Sequence, residues 1–278
     1  MQKTFDVTGP LAIEVQLAAG EIEIDPTLDG RAEVELVAHD EESQRLVEEA
    51  RIELRDHHLV VDVPHKRGGG FNLSLIFGRT GIGCRIRCPA GSSVTAKTKS
   101  ADVTARGTIG GLDVRTASGD VEAVDVAGSV NVKSASGDIR IHTVGGGLNV
   151  QTASGDVEIG AVRGPANVQT ASGDVEIDAA DADVHAMVVS GDLELGAVVR
   201  GQVNAQSVSG DVTVGVRRGS TAYLDCNTLS GDTSSDLDLQ GDAPADGGPL
   251  VEVRVKTVSG DIRITRAPAP AQSEEVHA

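Results

Sequence analysis

The chain has 278 residues, a net charge of −18, one Tyr, three Phe and no Trp. Such acidity disfavours binding to the phosphate backbone of nucleic acid, and the scarcity of aromatic side chains disfavours the stacking platforms that bind bases and sugars. The composition instead suits a thin core built from Val, Ile, Leu and Ala.

Residues 1–92 alternate apolar and polar residues over short stretches, for example at 11–17 and 32–37, which indicates β-strands. The segment from His39 to Arg51 places its apolar residues on one side and predicts a short helix. The glycine run at 68–70 predicts a flexible loop. Because a stack of repeats needs its first unit covered, we interpret residues 1–92 as an N-terminal β-rich cap.

The first seven residues lack the apolar core of a signal peptide, and no segment reaches the length of a membrane span. We therefore expect a cytoplasmic location, which also fits free thiols. Cys84 and Cys88 lie about 13 Å apart in an extended strand, too far for a direct bridge. A zinc site that adds His65 matches no standard spacing. Cys226 falls in a column of small apolar residues, so we interpret it as a core residue.

The tripeptide Ser-Gly-Asp occurs eight times, and the first five copies stand 18 residues apart. A fixed period near 20 residues is typical of units that bury their apolar faces by stacking on their neighbours. We interpret each copy as a structural turn in which Gly makes the bend and Asp and Ser close it by hydrogen bonds. The first four turns consist of Ser118, Gly119, Asp120, Ser136, Gly137, Asp138, Ser154, Gly155, Asp156, Ser172, Gly173 and Asp174.

Between the turns, the sixth and the fourth residue before each Ser are apolar, as at Val130 and Val132, while the residues beside them are mostly polar. This alternation predicts an all-β fold, a right-handed parallel β-solenoid with about 18 residues per coil and two strands in each coil. The second residue before Ser, such as Thr152, points inward and predicts a ladder of hydroxyl groups. We assign residues 93–266 to the solenoid and residues 267–278 to a disordered tail.

Stacked coils place the Asp residues in one column, where two charges about 4.8 Å apart repel by about 0.9 kcal/mol in water and about 3.5 kcal/mol at an effective dielectric of 20. In the structural interpretation, turn N–H groups or Ser hydroxyls offset this repulsion, and no cofactor is needed. The alternative is a Ca²⁺-binding β-roll-like module. Such β-rolls repeat their Asp turns every nine residues, whereas here Asp recurs at every second turn. The candidate metal column is Asp120, Asp138, Asp156, Asp174 and Asp192.

A polysaccharide-active β-helix enzyme is the second alternative. Such a site needs an acid and a base in different environments, whereas the Asp column is uniform. His142 and His185 fall in different columns, which indicates surface histidines. We therefore expect no catalytic residues.

The N-terminal strands, the lead-in at residues 84–91 and the repeated Thr-Ala-Ser-Gly-Asp-Val-Glu-Ile units resemble the bacterial β-strand-repeat family named putative adhesin, or toastrack domain. The resemblance covers roughly residues 5 to 265. It implies a right-handed β-helix-like fold and a non-enzymatic structural or interaction role, and some relatives are linked to cell-envelope stress systems. The expected partner is a protein or a second copy of the chain, and not nucleic acid.

Overall fold

The computed structural model describes residues 1–64, 81–237 and 249–267. The elements before the repeats are β1 Gln2–Asp6, β2 Ala12–Asp25, β3 Arg31–Ala38, α1 Glu41–Glu48, β4 Arg51–Arg55, β5 His58–Asp62 and β6 Ile82–Arg87. The repeats add β7 Ser93–Ile109, β8 Gly111–Arg115, β9 Val121–Val126, β10 Val130–Lys133, β11 Ile139–Val144, β12 Leu148–Ser154, β13 Val157–Val162, β14 Ala166–Ser172, β15 Val175–Ala180, β16 Val184–Ser190, β17 Leu193–Val198, β18 Gly201–Ser209, β19 Val212–Arg217, β20 Thr221–Ser230, β21 Thr233–Ser235, β22 Leu250–Ser259 and β23 Ile262–Ala267.

Each repeat forms one coil with two strands, and each strand pairs in parallel with its equivalent in the next coil. In the first strand set, β12 pairs with β14 so that Leu148 lies opposite Ala166. In the second set, β13 pairs with β15 so that Val157 lies opposite Val175. Both pairs of partners are 18 residues apart, so the predicted all-β parallel solenoid is confirmed. The right-handed winding expected from the crossover rule stays a prediction.

The core follows the inward columns of both strand sets. Val132 and Val150 are fully buried in the first set, and Ile141 and Ile159 are buried in the second. Burying one such aliphatic side chain stabilises the fold by about 1.5–3 kcal/mol. Because every coil repeats the contribution, the stack is held together by one continuous aliphatic core.

The strand β2 is itself a coil of the stack. Its two halves pair in parallel with the two halves of β7, placing Ile13 opposite Val94 and Ile22 opposite Val103. The stack therefore starts within the segment that the sequence assigned to the cap. The division of the chain near residue 92 stays a prediction.

Antiparallel strands and the helix complete the N-terminal end. The strand β3 pairs antiparallel with β1 and β6, β4 pairs antiparallel with β5, and α1 packs against β3. The helix predicted between His39 and Arg51 is confirmed over Glu41–Glu48. It begins there because the Asp40 carboxylate accepts the N–H of Ser43 at 2.7 Å, which satisfies one of the free donors of the first turn.

The last two coils are exchanged relative to their order in the sequence. The strand β22 lies between β18 and β20, because Val253 pairs with Val203 on one side and with Leu224 on the other. Likewise β23 pairs with both β19 and β21. The stack therefore runs through residues 201–217, then 250–267, then 221–235. This order differs from the expectation that every coil stacks on the next one in sequence.

Cys226 shows the effect of this exchange on burial. It is only partly buried, unlike the apolar residues of its column in earlier coils. The reason is that the coil at 221–235 ends the described stack and has a neighbour on one side only.

Three predicted irregular segments fall largely outside the described residues. They are the glycine run at 68–70, the Pro/Gly/Asp stretch from 240 to 249, which the sequence places in a turn between the last two Ser-Gly-Asp copies, and the tail at 267–278. Ala267, with which the predicted tail began, is the buried last residue of β23.

The corner glycines are required for two reasons. Gly155 has φ +113°, a region that other residues rarely adopt, and a Cβ built on it would lie 2.3 Å from the carbonyl oxygen of Gly137 one coil earlier. Gly173 repeats both features, with φ +118° and the carbonyl oxygen of Gly155 at 2.3 Å from its built Cβ. Glycine at the corner therefore lets the backbones of successive coils approach closely.

We expect Gly155→Ala to lower the melting temperature more than Gly219→Ala. Both positions have positive φ, which costs about 1–3 kcal/mol for a residue with a side chain. Gly219 has no atom within 4 Å of a built Cβ, so only Gly155→Ala adds a backbone clash. Thermal melts followed by circular dichroism compare the two variants, and equal losses would contradict the role of close coil approach.

Candidate functional site at the Ser-Gly-Asp corner

The aspartates of the repeats form a hydrogen-bonded column along the stack. Each carboxylate that has a following coil accepts the backbone N–H of the Asp in that coil, at 2.8 to 3.1 Å. Carboxylates that accept backbone N–H groups are stabilised in their charged form, which offsets the repulsion between neighbours. In stacking order the column consists of Asp102, Asp120, Asp138, Asp156, Asp174, Asp192, Asp211, Asp261 and Asp232.

Asp138 has an additional partner. The N–H of Asp156 is the largest cause that lowers the pKa of the Asp138 carboxyl, and the Arg140 guanidinium, at 3.0 Å, lowers it further. Arg140 also reaches Glu158 at 3.2 Å, so one cation links carboxylates from two coils.

The hydroxyl ladder lies where the sequence predicted it, but its partners are within the same turn. The hydroxyl of Thr152 donates to the carbonyl of Ser154 at 2.8 Å, and that of Thr170 donates to the carbonyl of Ser172 at 3.0 Å. The corner is thus closed by this hydroxyl and by the Asp carboxylate. The hydroxyls of the corner serines, by contrast, lie on exposed residues and do not close it.

Three buried hydroxyls of the same column lack a hydrogen-bond partner in the described part of the chain. They belong to Thr116, Ser207 and Thr257. The column therefore tolerates a hydroxyl without requiring its bond, which fits the presence of Val188 at the equivalent position.

A side-chain amide ladder follows the first strand set and was not anticipated as a ladder. The amide of Asn167 donates to Asn149 at 2.8 Å, Asn149 donates to Asn131 at 2.8 Å, and Asn131 donates to Asp113 at 2.9 Å. Asn at the same position of consecutive 18-residue repeats is the sequence signal that predicts it. His185 continues this column, opposite Asn167.

A shallow acidic groove of about 310 Å³ lies on the second strand set, lined mainly by Glu122, Arg140, His142, Glu158, Glu176 and Asp178. Partial burial is the largest cause that raises the pKa of Glu176, followed by repulsion from Asp178, Glu194 and Glu158. Glu158, Glu176 and Glu194 occupy one register position in successive coils. The groove therefore holds carboxylates at one register position, of which Glu158 contacts Arg140 whereas Glu176 has other carboxylates as its charged neighbours.

The candidate metal and thiol positions do not form a recognisable metal-binding group in the part of the chain that the structure describes. In the described ranges, no three or more His, Cys, Asp or Glu side chains are grouped so that they could hold a metal ion. Cys84 and Cys88 are buried free thiols, and burial raises the pKa of Cys84 to about 12 and that of Cys88 to about 11. His65 lies outside the described residues. Whether the Asp column takes Ca²⁺ stays a prediction.

An exposed apolar ridge lies beside the Asp column, at the residue directly before each Ser. Four successive coils carry Ala at this position, and the next four carry larger aliphatic residues. The larger side chains are 43 to 82 % exposed. We define the ridge by its members in stacking order, Val189, Val208, Val258 and Leu229. The change from Ala to Val at one repeat position is the sequence signal that sequence analysis missed.

The sequence model of the family described as Toastrack DUF4097 matches residues 11–265. The chain belongs to the Toastrack family. The match begins just before β2 of this Toastrack protein and ends inside β23. The family predicted from the Ser-Gly-Asp units is therefore confirmed.

Solved structures similar to this Toastrack protein include a putative adhesin from Bacteroides fragilis NCTC 9343, at 15% identity and TM-score 0.44, covering 95% of this chain and 96% of that one. A putative adhesin from Parabacteroides distasonis ATCC 8503 has 12% identity and TM-score 0.43, with 95% and 96% covered. A putative lipid binding protein from the same strain has 11% identity and TM-score 0.34, with 96% of each covered. No curated protein matches the chain. Among the described residues, no helix has the length and apolar character needed to span a membrane.

We expect Glu176→Gln and Asp138→Asn to change stability in opposite directions at pH 7. A raised pKa means that the charged form of Glu176 is disfavoured in the fold, so Glu176→Gln raises the melting temperature slightly, and the gain disappears as the pH falls toward about 4. A lowered pKa means that the charged form of Asp138 stabilises the fold above about pH 4, so Asp138→Asn lowers the melting temperature there, and the difference disappears as the pH falls further. Melts from pH 3 to 8 test both signs.

We expect the same melting temperature in millimolar Ca²⁺ and in chelator. One oxygen of each column carboxylate that has a following coil already accepts a backbone N–H, so the column has its charge compensation without a cation. A rise in the melting temperature with Ca²⁺, reversed by chelator, would contradict this expectation and support the β-roll alternative.

Proposed function

We propose that this Toastrack protein is a non-enzymatic interaction module that binds a protein partner or a second copy of itself. The observation that carries the proposal is the exposed ridge of Val189, Val208, Val258 and Leu229. Aligned apolar side chains exposed on a rigid surface are typical of protein contact sites.

The ridge residues are not needed to build the coil. Four earlier coils hold Ala117, Ala135, Ala153 and Ala171 at the same position and still pair in register. Larger aliphatic side chains at an exposed position contribute little to the core and disfavour solvation. Their presence in four adjacent coils is therefore better explained by contact with another molecule.

The polar groups beside the ridge support interaction over catalysis. The Asp column carboxylates are already hydrogen-bonded to the next coil, and Glu158 and Glu176 are exposed residues of a shallow groove. The acid of a polysaccharide-cleaving pair has its pKa raised by an apolar, water-poor site, which an exposed groove does not supply. An enzyme that cleaves polysaccharide is thus the weaker alternative, and turnover of an acidic polysaccharide would favour it.

A cytoplasmic location and a link to envelope-stress signalling belong to the same proposal. The three cysteines are free thiols, which supports a reducing compartment. The signalling link rests on the family resemblance alone. Cell fractionation with an antibody against the protein tests the location.

We expect the variant with Val189, Val208, Val258 and Leu229 all replaced by Ala to fold and to lose its partner. Its melting temperature should stay within about 5 °C of the wild type, because exposed substitutions usually change stability by less than about 0.5 kcal/mol each. The measurement compares proteins recovered from native lysate by the wild type and by the variant.

The matched control is Val124→Ala, which shortens a comparably exposed Val, at 45 %, on the strand β9. A specific partner should be recovered by the wild type and by this control, and not by the ridge variant. Equal recovery by all three proteins would contradict a contact through the ridge.

A further inference from the structure

We propose that two copies of the chain associate through the free edge of β20, residues 221–230. The β20 strands of the two copies pair antiparallel across a twofold axis. This proposal rests on the proposed interaction function and names the partner as a second copy. Within the described residues β20 pairs only with β22, so its other side presents a row of backbone donors and acceptors. Such an edge is a template for pairing with another strand.

The edge at the opposite end of the stack is protected in a way that β20 is not. The edge strand β4 has five residues and three charges, at Arg51, Glu53 and Arg55. Lys3 of the edge strand β1 donates to the carbonyl of Ile52 at 3.0 Å. By contrast, β20 has ten residues, one charge at Asp225 and no Pro. Short, charged edges prevent association, and a long edge with one charge favours it.

The charge distribution leaves this end neutral. Residues 111–198 contain fourteen acidic and four basic residues, a net charge of −10. The described residues of the last three coils, 201–237 and 249–267, contain six acidic and six basic residues. Two copies can therefore meet end to end while their acidic regions stay apart, which limits the repulsion expected from a net charge of −18 per chain.

The direction of the backbone groups favours a particular pairing. The N–H of Thr221 donates to the carbonyl of Pro249 at 2.9 Å. In a parallel ladder the bonding direction alternates, so the N–H groups of Ala222, Leu224 and Cys226 point to the free side. An antiparallel twofold pairing gives each of these residues a backbone partner in the other copy.

Side chains select the register centred on Leu224. In that register Leu224 faces Leu224 of the other copy, and Ala222 faces Cys226. Tyr223, which is 61 % exposed, faces Asp225, whose carboxylate can accept its hydroxyl. A register centred on Asp225 would place two carboxylates opposite each other and is disfavoured.

The experiment measures the mass of the full chain by sedimentation from about 1 to 100 μM, the range in which small interfaces associate. The wild type is expected to form dimers and no larger species, because pairing of the two β20 strands leaves neither copy with a free β20 edge. Ala222→Pro should abolish the dimer while keeping the monomer folded, since Pro is tolerated on an edge strand where its N–H faced outward.

Two charge variants of one exposed site test the register. Tyr223→Asp places two carboxylates together and should weaken dimerisation about tenfold or more, whereas Tyr223→Lys, which faces Asp225, should keep it. Thr4→Asp, in the opposite edge β1, is the control and should leave the mass unchanged.

A chain that stays monomeric at every concentration would overturn the proposal. A dimer that survives Ala222→Pro, or that Thr4→Asp disrupts, would overturn it as well. Recovery of a different protein from lysate by the wild type and not by the ridge variant supports the interaction function even without a dimer, so failure of the dimer and failure of the interaction function are distinguishable.

Discussion

The structure depends on stacking equivalent backbone positions one strand spacing apart. At about 4.8 Å each side chain lies directly over its equivalent in the next coil, so every position of the repeat must tolerate its own neighbour. Aliphatic residues do so by burial, and asparagines do so by amide-to-amide bonds. Aspartates do so because each carboxylate binds the next N–H and thereby ties two coils together. The carboxylate, whose charge would otherwise oppose stacking, therefore forms a hydrogen bond that holds two coils together.

The same constraint separates structural columns from surface columns. Groups that bond from coil to coil cannot vary freely, whereas an outward position without such a bond can change along the stack. The residue before each Ser is of the second kind, since it is Ala in some coils and Val or Leu in others. In the acidic groove, desolvation and then repulsion from neighbouring carboxylates, among them Glu194 and Glu158 of the adjacent coils, raise the pKa of Glu176.

Sequence periodicity predicted most of the fold because stacking makes each coil obey the same pattern. The 18-residue register, the inward columns and the short helix followed from spacing alone. The coil exchange did not, since Ser230 and Ser259 carry identical tripeptides and nothing local states which coil each one contacts. The roles of the corner hydroxyls were also misassigned in part, because Thr and Ser offer the same chemistry and only geometry shows that Thr152 makes the bond. The ridge was visible as an Ala-to-Val change but became meaningful only with its exposure.

The exchanged coils also bear on how the chain is assembled during synthesis. Repeats up to residue 217 can be added in the order in which they leave the ribosome, each on a finished neighbour. The coil at 221–235 has no such neighbour until residues 250–267 have been made, because β22 and β23 lie between it and β18 and β19. The growing end of the stack therefore waits for the last part of the chain, and the final coil to be synthesised fills an interior place.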